Sequence, residues 1–432
     1  MLLRGNELFY ILTSLGKSAH IIKVELTFSE NIDITTLKQA LGTVSKSYPL
    51  FASQLVMTSE GKLSLEPTDA PLPVYEDLRP RSLGTDENNG YMYRVSICKD
   101  ILSIIMLHAL TDARGAAMFA KALAYEYCRI RYGLERIPEF ENGVLAFNEN
   151  EVNKVPYEVV MEQGVEPVQA EGEPAASKGP AFSLTSEDAI SDGIYSVKYN
   201  NEQLVKKSKE LGFSVFSFIQ SMVARAIEDN YDTKDEPIVS NVTVDLRSRL
   251  QVLSQANFSA SPIKFSFGTT EKELDIVSSA KMKKEELDSM DIVKLGKKEV
   301  LLSHQMDAMF EHIDFQNELM VQKMMLLFSQ ATEGSCSFIY SNLGVFDLPE
   351  AIKQYVNDVK WISLKDGGKG AAILAYCYQN SGLIQLLNCL ANEKIAKSVS
   401  DYLDQFEIQN EVIKEDIGEV DTFALNKVLR AV

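Results

Sequence analysis

His108 closes an apolar run, Ile101-Leu-Ser-Ile-Ile-Met-Leu107, and Asp112 follows it four residues later. An imidazole at the exit of a β-branched strand is held by a rigid element yet faces the space beyond the sheet. That is where a general base has to sit. Its ordinary pKa lies close to neutrality, so it can take a proton from a hydroxyl or amine and return it. Asp112-Ala-Arg-Gly115 opens the periodic segment Ala116 to Arg131. A carboxylate at a helix start receives amide hydrogen bonds or an arginine, so its expected task is to fix the loop and not to move protons. The plainer alternatives are a buried, backbone-satisfied histidine and a simple helix cap.

The elements that must hold this pair are legible around it. Ile22, Val24, Leu26 and Phe28 alternate with Lys23, Glu25 and Thr27, the pattern of a half-buried strand. Asp33 caps a helix with Leu37, Ala40, Leu41 and Val44 on one face, stopped by Pro49. Tyr91 to Ile97 and Ile101 to Leu107 form a hairpin around Lys99-Asp100. From about Asn153 to Pro180 the chain is rich in Glu, Pro, Gly and Ala without periodicity, and reads as loop. The expected division is an amino-terminal lobe over 1–152, a linker over 153–182 and a carboxy-terminal lobe over 183–432.

Beyond the linker the opening pattern returns. Ile194 to Tyr199 is a strand, Asn200 or Asn201 caps a helix ended by Gly212, and Ser214 starts a second helix, Phe216 to Asp229. A strand ending in Val244-Asp-Leu-Arg-Ser-Arg249 and another at Ser261 to Phe267 follow. Helices are expected over Glu271 to Leu295 and Lys298 to Phe328. Strands return at Ser337 to Tyr340, Val359 to Leu364, Ile373 to Tyr378 and Ile384 to Leu390, then a helix from Ile395 to Phe406 and a loosely packed acidic tail after Gln409. The class is α+β, with mixed sheets flanked by helices.

Bulk properties narrow the function. At 432 residues the chain suits two lobes, and a composition of 45% hydrophobic and 24% charged residues provides a large core. A net charge of −18 argues against nucleic acid or an anionic membrane surface as the main partner, while leaving room for a local phosphate site. Cys98, Cys128, Cys336, Cys377 and Cys389 show no framework spacing and read as isolated thiols of a reducing compartment. No signal peptide and no run of the roughly 18 apolar residues of a membrane span is seen, so a soluble, cytoplasmic protein is expected. His304 and His312, with Asp307, Glu311 and Asp314, lack compact ligand spacing and read as a solvated helix, so no metal is expected. Met306, Met309, Met320, Met324 and Met325 suit core or site lining. Lys365-Asp-Gly-Gly-Lys-Gly370 reads as a hairpin tip that could also contact phosphate.

Leu107-His-Ala-Leu-Thr-Asp112 resembles the His-His-x-x-x-Asp signature of the condensation-domain and CoA-dependent acyltransferase superfamily, the chloramphenicol acetyltransferase-like proteins. Val244-Asp-Leu-Arg247 resembles the Asp-x-Arg strand of that superfamily's second lobe, and Tyr340-Ser-Asn-Leu-Gly344 the Ser-Asn-x-Gly turn of its alcohol acetyltransferase branch. Ala256-Asn-Phe258 is similar to a decayed Gly-Asn-Phe strand entrance. The ordered set runs from about Gly5 to about Asp404, and is closest to the alcohol acetyltransferase and polyketide-associated acyltransferase branch. Three departures stand out. Leu107 replaces the first histidine, Ala113 replaces the glycine after the aspartate although Gly115 is near, and an Asp-Phe-Gly-Trp-Gly motif is missing.

The resemblance implies two chloramphenicol acetyltransferase-like lobes with a tunnel between them and His108 as general base midway. It implies that Asp112 pairs with Arg247 across the lobes and that Ser341 and Asn342 lie near the tunnel as oxyanion donors. It also implies acyl-CoA as co-substrate, no permanently bound cofactor, and a small alcohol or amine as acceptor. An acyl carrier protein as donor is the alternative partner. A non-catalytic module that keeps the fold is the rival from another class, motivated by Leu107 and Ala113.

Overall fold

In the computed structural model the described residues are 3, 5–15, 19–137, 154–164, 181–184, 193–234, 236–268, 275–305, 310, 312–332, 336–364, 371–416, 421–423 and 429–430. Strands of the first part are β1 (Ile21–Phe28), β2 (Ser53–Met57), β3 (Leu63–Pro67), β4 (Val74–Tyr75), β5 (Ser82–Leu83), β6 (Tyr93–Cys98) and β7 (Ile101–Leu107). Those that follow are β8 (Gly193–Asn200), β9 (Ile238–Asp245), β10 (Ser259–Phe267), β11 (Phe338–Val345) and β12 (Val356–Leu364). The last are β13 (Ala371–Tyr378), β14 (Ser381–Asn388), β15 (Asn410–Asp416), β16 (Thr422–Phe423) and β17 (Leu429–Arg430).

Alternation builds the first sheet: the even positions of β1 from Ile22 to Phe28 are buried, and Lys23, Glu25 and Thr27 are half-exposed. β1 pairs antiparallel with β7 on one side and β12 on the other, giving the order β12-β1-β7-β6-β4. β7 is buried from Leu102 to Leu107, as a central strand covered on both faces must be. The second sheet has the order β10-β9-β11-β13-β14-β8-β15, in which β11 runs parallel to both β9 and β13. Each sheet has its own apolar core, and a smaller cluster of Val159, Val160, Leu246, Leu250 and Phe258 adjoins the second through Val244.

Helix starts follow the expected caps. α1 (Gly5–Thr13) precedes β1, and α2 (Ile34–Val44) is capped by Asp33, whose carboxylate accepts from Thr36 N at 2.7 Å. α3 (Ala113–Tyr132) is capped by Asp112 and ends at Gly133, whose φ of 64° only glycine adopts cheaply. Asn200 caps the helix Asn201–Leu211, Gly212 ends it, and Ser214 caps the helix Val215–Asn230.

Four expectations change. α4 (Pro156–Glu162) lies inside the stretch read as loop, because Val159 and Val160 find an apolar cluster that periodicity over so short a segment does not announce. Among the described residues the two long helices divide into Ile276–Ser289, Ile292–Gln305 and Glu318–Thr332. Asp291 restarts the second by accepting from Lys294 N, and Asn317 restarts the third by accepting from Met320 N. Tyr340-Ser-Asn-Leu-Gly344 is not a turn but the body of β11, with the register shifting between Asn342 and Gly344 and Gly344 at φ 67°. The tail is not loose: β15 pairs with β8, and residues 421–423 return to the first lobe, where β16 pairs with β5.

β12 comes late in the sequence, after the first strands of the second sheet, yet lies inside the first sheet in space. The five cysteines are free thiols, and no helix among the described residues is long and apolar enough to cross a membrane.

The returning tail is anchored by charge. Arg94 (1% exposed) donates through Nε at 2.5 Å and through Nη2 at 3.0 Å to the Asp421 carboxylate, itself 3% exposed. Removing one partner strands the other in the interior, at about 3–5 kcal/mol. Asp421→Ala is therefore expected to lower the urea midpoint by that energy, and a shift below 1 kcal/mol would show that the tail contributes nothing there.

Candidate active site

His108 follows β7 directly and its backbone N–H donates to His20 O at 2.7 Å, so the loop leaves the sheet in a defined direction. Its imidazole is half-buried and stacks on Tyr10 of α1, ring centroids 4.0 Å apart. One face of the ring is thereby covered, and substrate can approach by the edge. A hydrogen bond between the ring and its own backbone favours the protonated form. Asn257, from the second lobe, places its amide nitrogen 3.5 Å from Nδ1. Burial pushes the His108 pKa down, and the backbone bond and the Asp112 charge recover part of that loss.

Asp112 is 3% exposed and fully engaged. Oδ1 accepts from Gly115 N at 2.9 Å, and Oδ2 accepts from Arg247 Nη1 at 2.9 Å and Phe258 N at 2.7 Å. Burial alone would raise its pKa, yet the Arg247 charge and these hydrogen bonds hold it below the ordinary carboxylate value. Arg247, 3% exposed, also donates from Nε to Ser254 O at 2.8 Å, from Nη1 to Asp245 at 2.8 Å, and from Nη2 to Ala256 O. The pair seals the His108 loop to the Ser254–Phe258 segment. Thr111 Oγ1 adds a bond to Gln255 O at 2.7 Å. A Cβ on Gly115 would lie 1.9 Å from Thr111 Oγ1 and 2.9 Å from Gln255 O, so this approach needs glycine here, two positions later than the sequence pattern places one.

His108 and Asp112 share a cleft of about 720 Å³, its open mouth included, with Ser341, Asn342 and Thr243 of the second sheet. Ser341 and Asn342 therefore reach the same space as His108. The Asn342 side chain is turned back on its own strand, Oδ1 accepting from Gly344 N at 2.9 Å and Nδ2 lying 3.4 Å from the Tyr340 hydroxyl. Among the described residues the Ser341 hydroxyl has no hydrogen bond, which leaves it the more available donor. The cleft also holds residues the sequence did not single out, Arg114, Lys121 and Trp361 among them. Arg114 and Lys121 sit a helical seven apart on α3, a spacing that could have been noticed; Tyr10 and Trp361 give no local signal.

Other candidates fall elsewhere. His304 stacks on Tyr157 of α4 at 3.4 Å between centroids, so that helix packs against a neighbour and is not a solvated face as expected. His312 lies outside any helix, and among the described residues no acidic, histidine or cysteine group is placed to hold a metal. Met324 packs against the first core. Met306, Met309 and residues 365–370 lie outside the described residues, as does the side chain of Met325.

Two measurements test this geometry. Asp112→Asn leaves the buried Arg247 with Asp245 as its remaining counter-charge and should cost up to about 3–5 kcal/mol in urea unfolding. The double variant with Arg247→Met should lose clearly less than the sum of the single losses, and simple additivity would show that the two do not act as a pair. Ring-proton NMR across the four histidines, with His108→Gln for assignment, should place the His108 midpoint below about 6.5. A midpoint above that value would mean that the Asp112 charge, not burial, dominates.

Comparison of the sequence with family models and with curated proteins gives no match. Solved structures do match. Polyketide synthase associated protein 5 from Mycobacterium tuberculosis aligns at a TM-score of 0.58 and 14% identity, covering 93% of this chain and 97% of that one. TRI101 from F. sporotrichioides, crystallised with coenzyme A and T-2, aligns at 0.56 and 11%, covering 93% and 98%. TRI3 trichothecene 15-O-acetyltransferase from Fusarium sporotrichioides aligns at 0.56 and 13%, covering 94% of each. Over nearly its whole length the chain thus has the two-lobed, chloramphenicol acetyltransferase-like fold.

Proposed function

We propose that the protein is an acyltransferase that moves an acyl group, acetyl by first expectation, from a coenzyme A thioester to a small alcohol or amine. The observation that carries this reading is His108, an imidazole kept basic-form by burial, at the wall of a cleft shared by both lobes. The rival module reading expects that histidine sealed against apolar residues. Neighbouring structures crystallised with coenzyme A or named as acetyltransferases support the same class of substrate.

The chemistry follows from the residues. The His108 imidazole takes the proton of the acceptor O–H or N–H as that atom attacks the thioester carbonyl. The carbonyl oxygen becomes an oxyanion, for which the Ser341 hydroxyl is the available donor. One such bond is worth roughly 3 kcal/mol of barrier. Collapse re-forms the carbonyl and breaks the carbon–sulfur bond, and the imidazolium returns its proton to the departing thiolate. Asp112 takes no part in these transfers, because both of its oxygens are occupied by Gly115, Phe258 and Arg247. Holding both substrates in one cleft supplies the proximity. Leu107, fully buried in the first core, replaces a histidine with packing and not with chemistry.

Free-thiol release from a panel of acyl-CoAs, with pooled alcohols and amines, tests the proposal on wild type and His108→Ala together. Loss of a general base should reduce turnover by about 100-fold or more. Equal background release from both proteins would reject acyl transfer from coenzyme A.

A further inference from the structure

Nine residues beyond the Asp112 cap, about 13 Å along α3, the same cleft contains a second polar feature that proton transfer does not use. Lys121 lines it half-buried, with Nζ 4.9 Å from the centroid of the Phe346 ring. Among the described residues Lys121 forms no hydrogen bond and no ion pair, in a chain carrying 61 acidic side chains. Phe346 packs edge-on against Trp361, centroids 5.8 Å apart, and Trp361 lines the cleft too. Trp361 is 2% exposed, and its indole N–H is buried without a hydrogen-bond partner. A buried indole N–H ordinarily finds an acceptor, and leaving it without one is unfavourable.

Both groups are donors and both lack an acceptor. The neighbouring charges do not fill the gap. Arg114, earlier on α3, lies 3.7 Å from Asp245, and Asp347, the acid that acts on Lys121, is exposed and ion-paired with Lys353 at 3.1 Å. Burial lowers the Lys121 pKa to about 8, with the Arg114 charge adding to the shift and Asp347 opposing it. An ammonium held in this way gains most from a ligand that brings its own negative charge.

We propose that this end of the cleft is an anion subsite, where Lys121 and the Trp361 indole N–H receive a phosphate or carboxylate of a ligand whose reacting end lies at His108. The inference rests on the acyltransferase reading for its ligand orientation. The anion has two sources, the phosphates of a coenzyme A donor or an acid group on the acceptor.

Trp361 is the only tryptophan in the chain, so intrinsic fluorescence reports directly on the subsite. Wild type, Lys121→Met and Lys121→Arg are titrated with coenzyme A against pantetheine, and with ω-hydroxydecanoate against decanol. At least one anionic ligand should bind Lys121→Met tenfold or more weakly than wild type. Its neutral analogue should be unaffected, and Lys121→Arg should restore the affinity. That ligand should also weaken in wild type as pH rises through about 8, where Lys121 loses its proton. A coenzyme A response identifies the donor as the source, and a hydroxy-acid response identifies the acceptor. Equal affinities of wild type and Lys121→Met for both anions, or no preference of wild type for either anion over its neutral analogue, would overturn the subsite. Failure of acyl transfer itself appears separately, as thiol release that does not depend on His108, and leaves the binding comparison intact.

Discussion

The buried pair of Asp112 and Arg247 is the constraint on which the cleft depends. Each residue comes from a different lobe, and each has nearly all of its hydrogen-bonding capacity spent within one small volume. Such a pair is a poor source of net stability, since desolvating two charges costs about what their attraction returns. Its value is geometric. Two acceptor oxygens and a planar guanidinium admit one relative placement of the His108 loop and the Ser254–Phe258 segment. Thr111 and the missing Cβ of Gly115 tighten the same seam. Apolar packing alone would hold the lobes together without fixing where His108 faces.

The exchange of chain between lobes serves the same end. β12 leaves the second half of the sequence to become the edge of the first sheet, beside β1, and the chain then returns as β13 to the second. The Tyr376 hydroxyl on β13 accepts from the Trp361 backbone N–H on β12 at 3.1 Å, so the crossing is stitched as well as covalent. The Arg94–Asp421 pair closes a second crossing at the carboxy terminus. Sliding one lobe against the other would have to break these contacts together.

What the sequence made legible was local. β7 and the cap at Asp112 appear where alternation and cap chemistry put them, because strand burial and helix nucleation are written in neighbouring residues. The Asp112–Arg247 contact was expected from resemblance, not from spacing, and the two residues do meet at 2.9 Å. The errors have one physical origin. Asn342-Leu-Gly344 is turn chemistry by composition, but parallel pairing with β13 keeps the chain extended and confines the turn tendency to a bulge. Val159 and Val160 look like loop until their apolar partners, roughly ninety residues away, are known. Tyr10 and Asn257 reach His108, and Lys121 and Trp361 reach the cleft, from four separate segments, and no window along the chain contains their relation.

The pair also has an electrostatic consequence for His108. Asp112 lies close enough to His108 for its charge to favour the imidazolium, and a free carboxylate there would hold the ring protonated near neutrality. Arg247 offsets that charge at 2.9 Å, while burial penalises the protonated ring. The net result is an imidazole whose pKa lies below its ordinary value. A neutral carboxamide at position 112 would share that benefit but could not bind Arg247 as strongly. An unpaired aspartate would bind water and raise the His108 pKa. Pairing reconciles the two demands, rigid placement of the loop and an imidazole pKa below its ordinary value, and does so with the two residues that join the lobes.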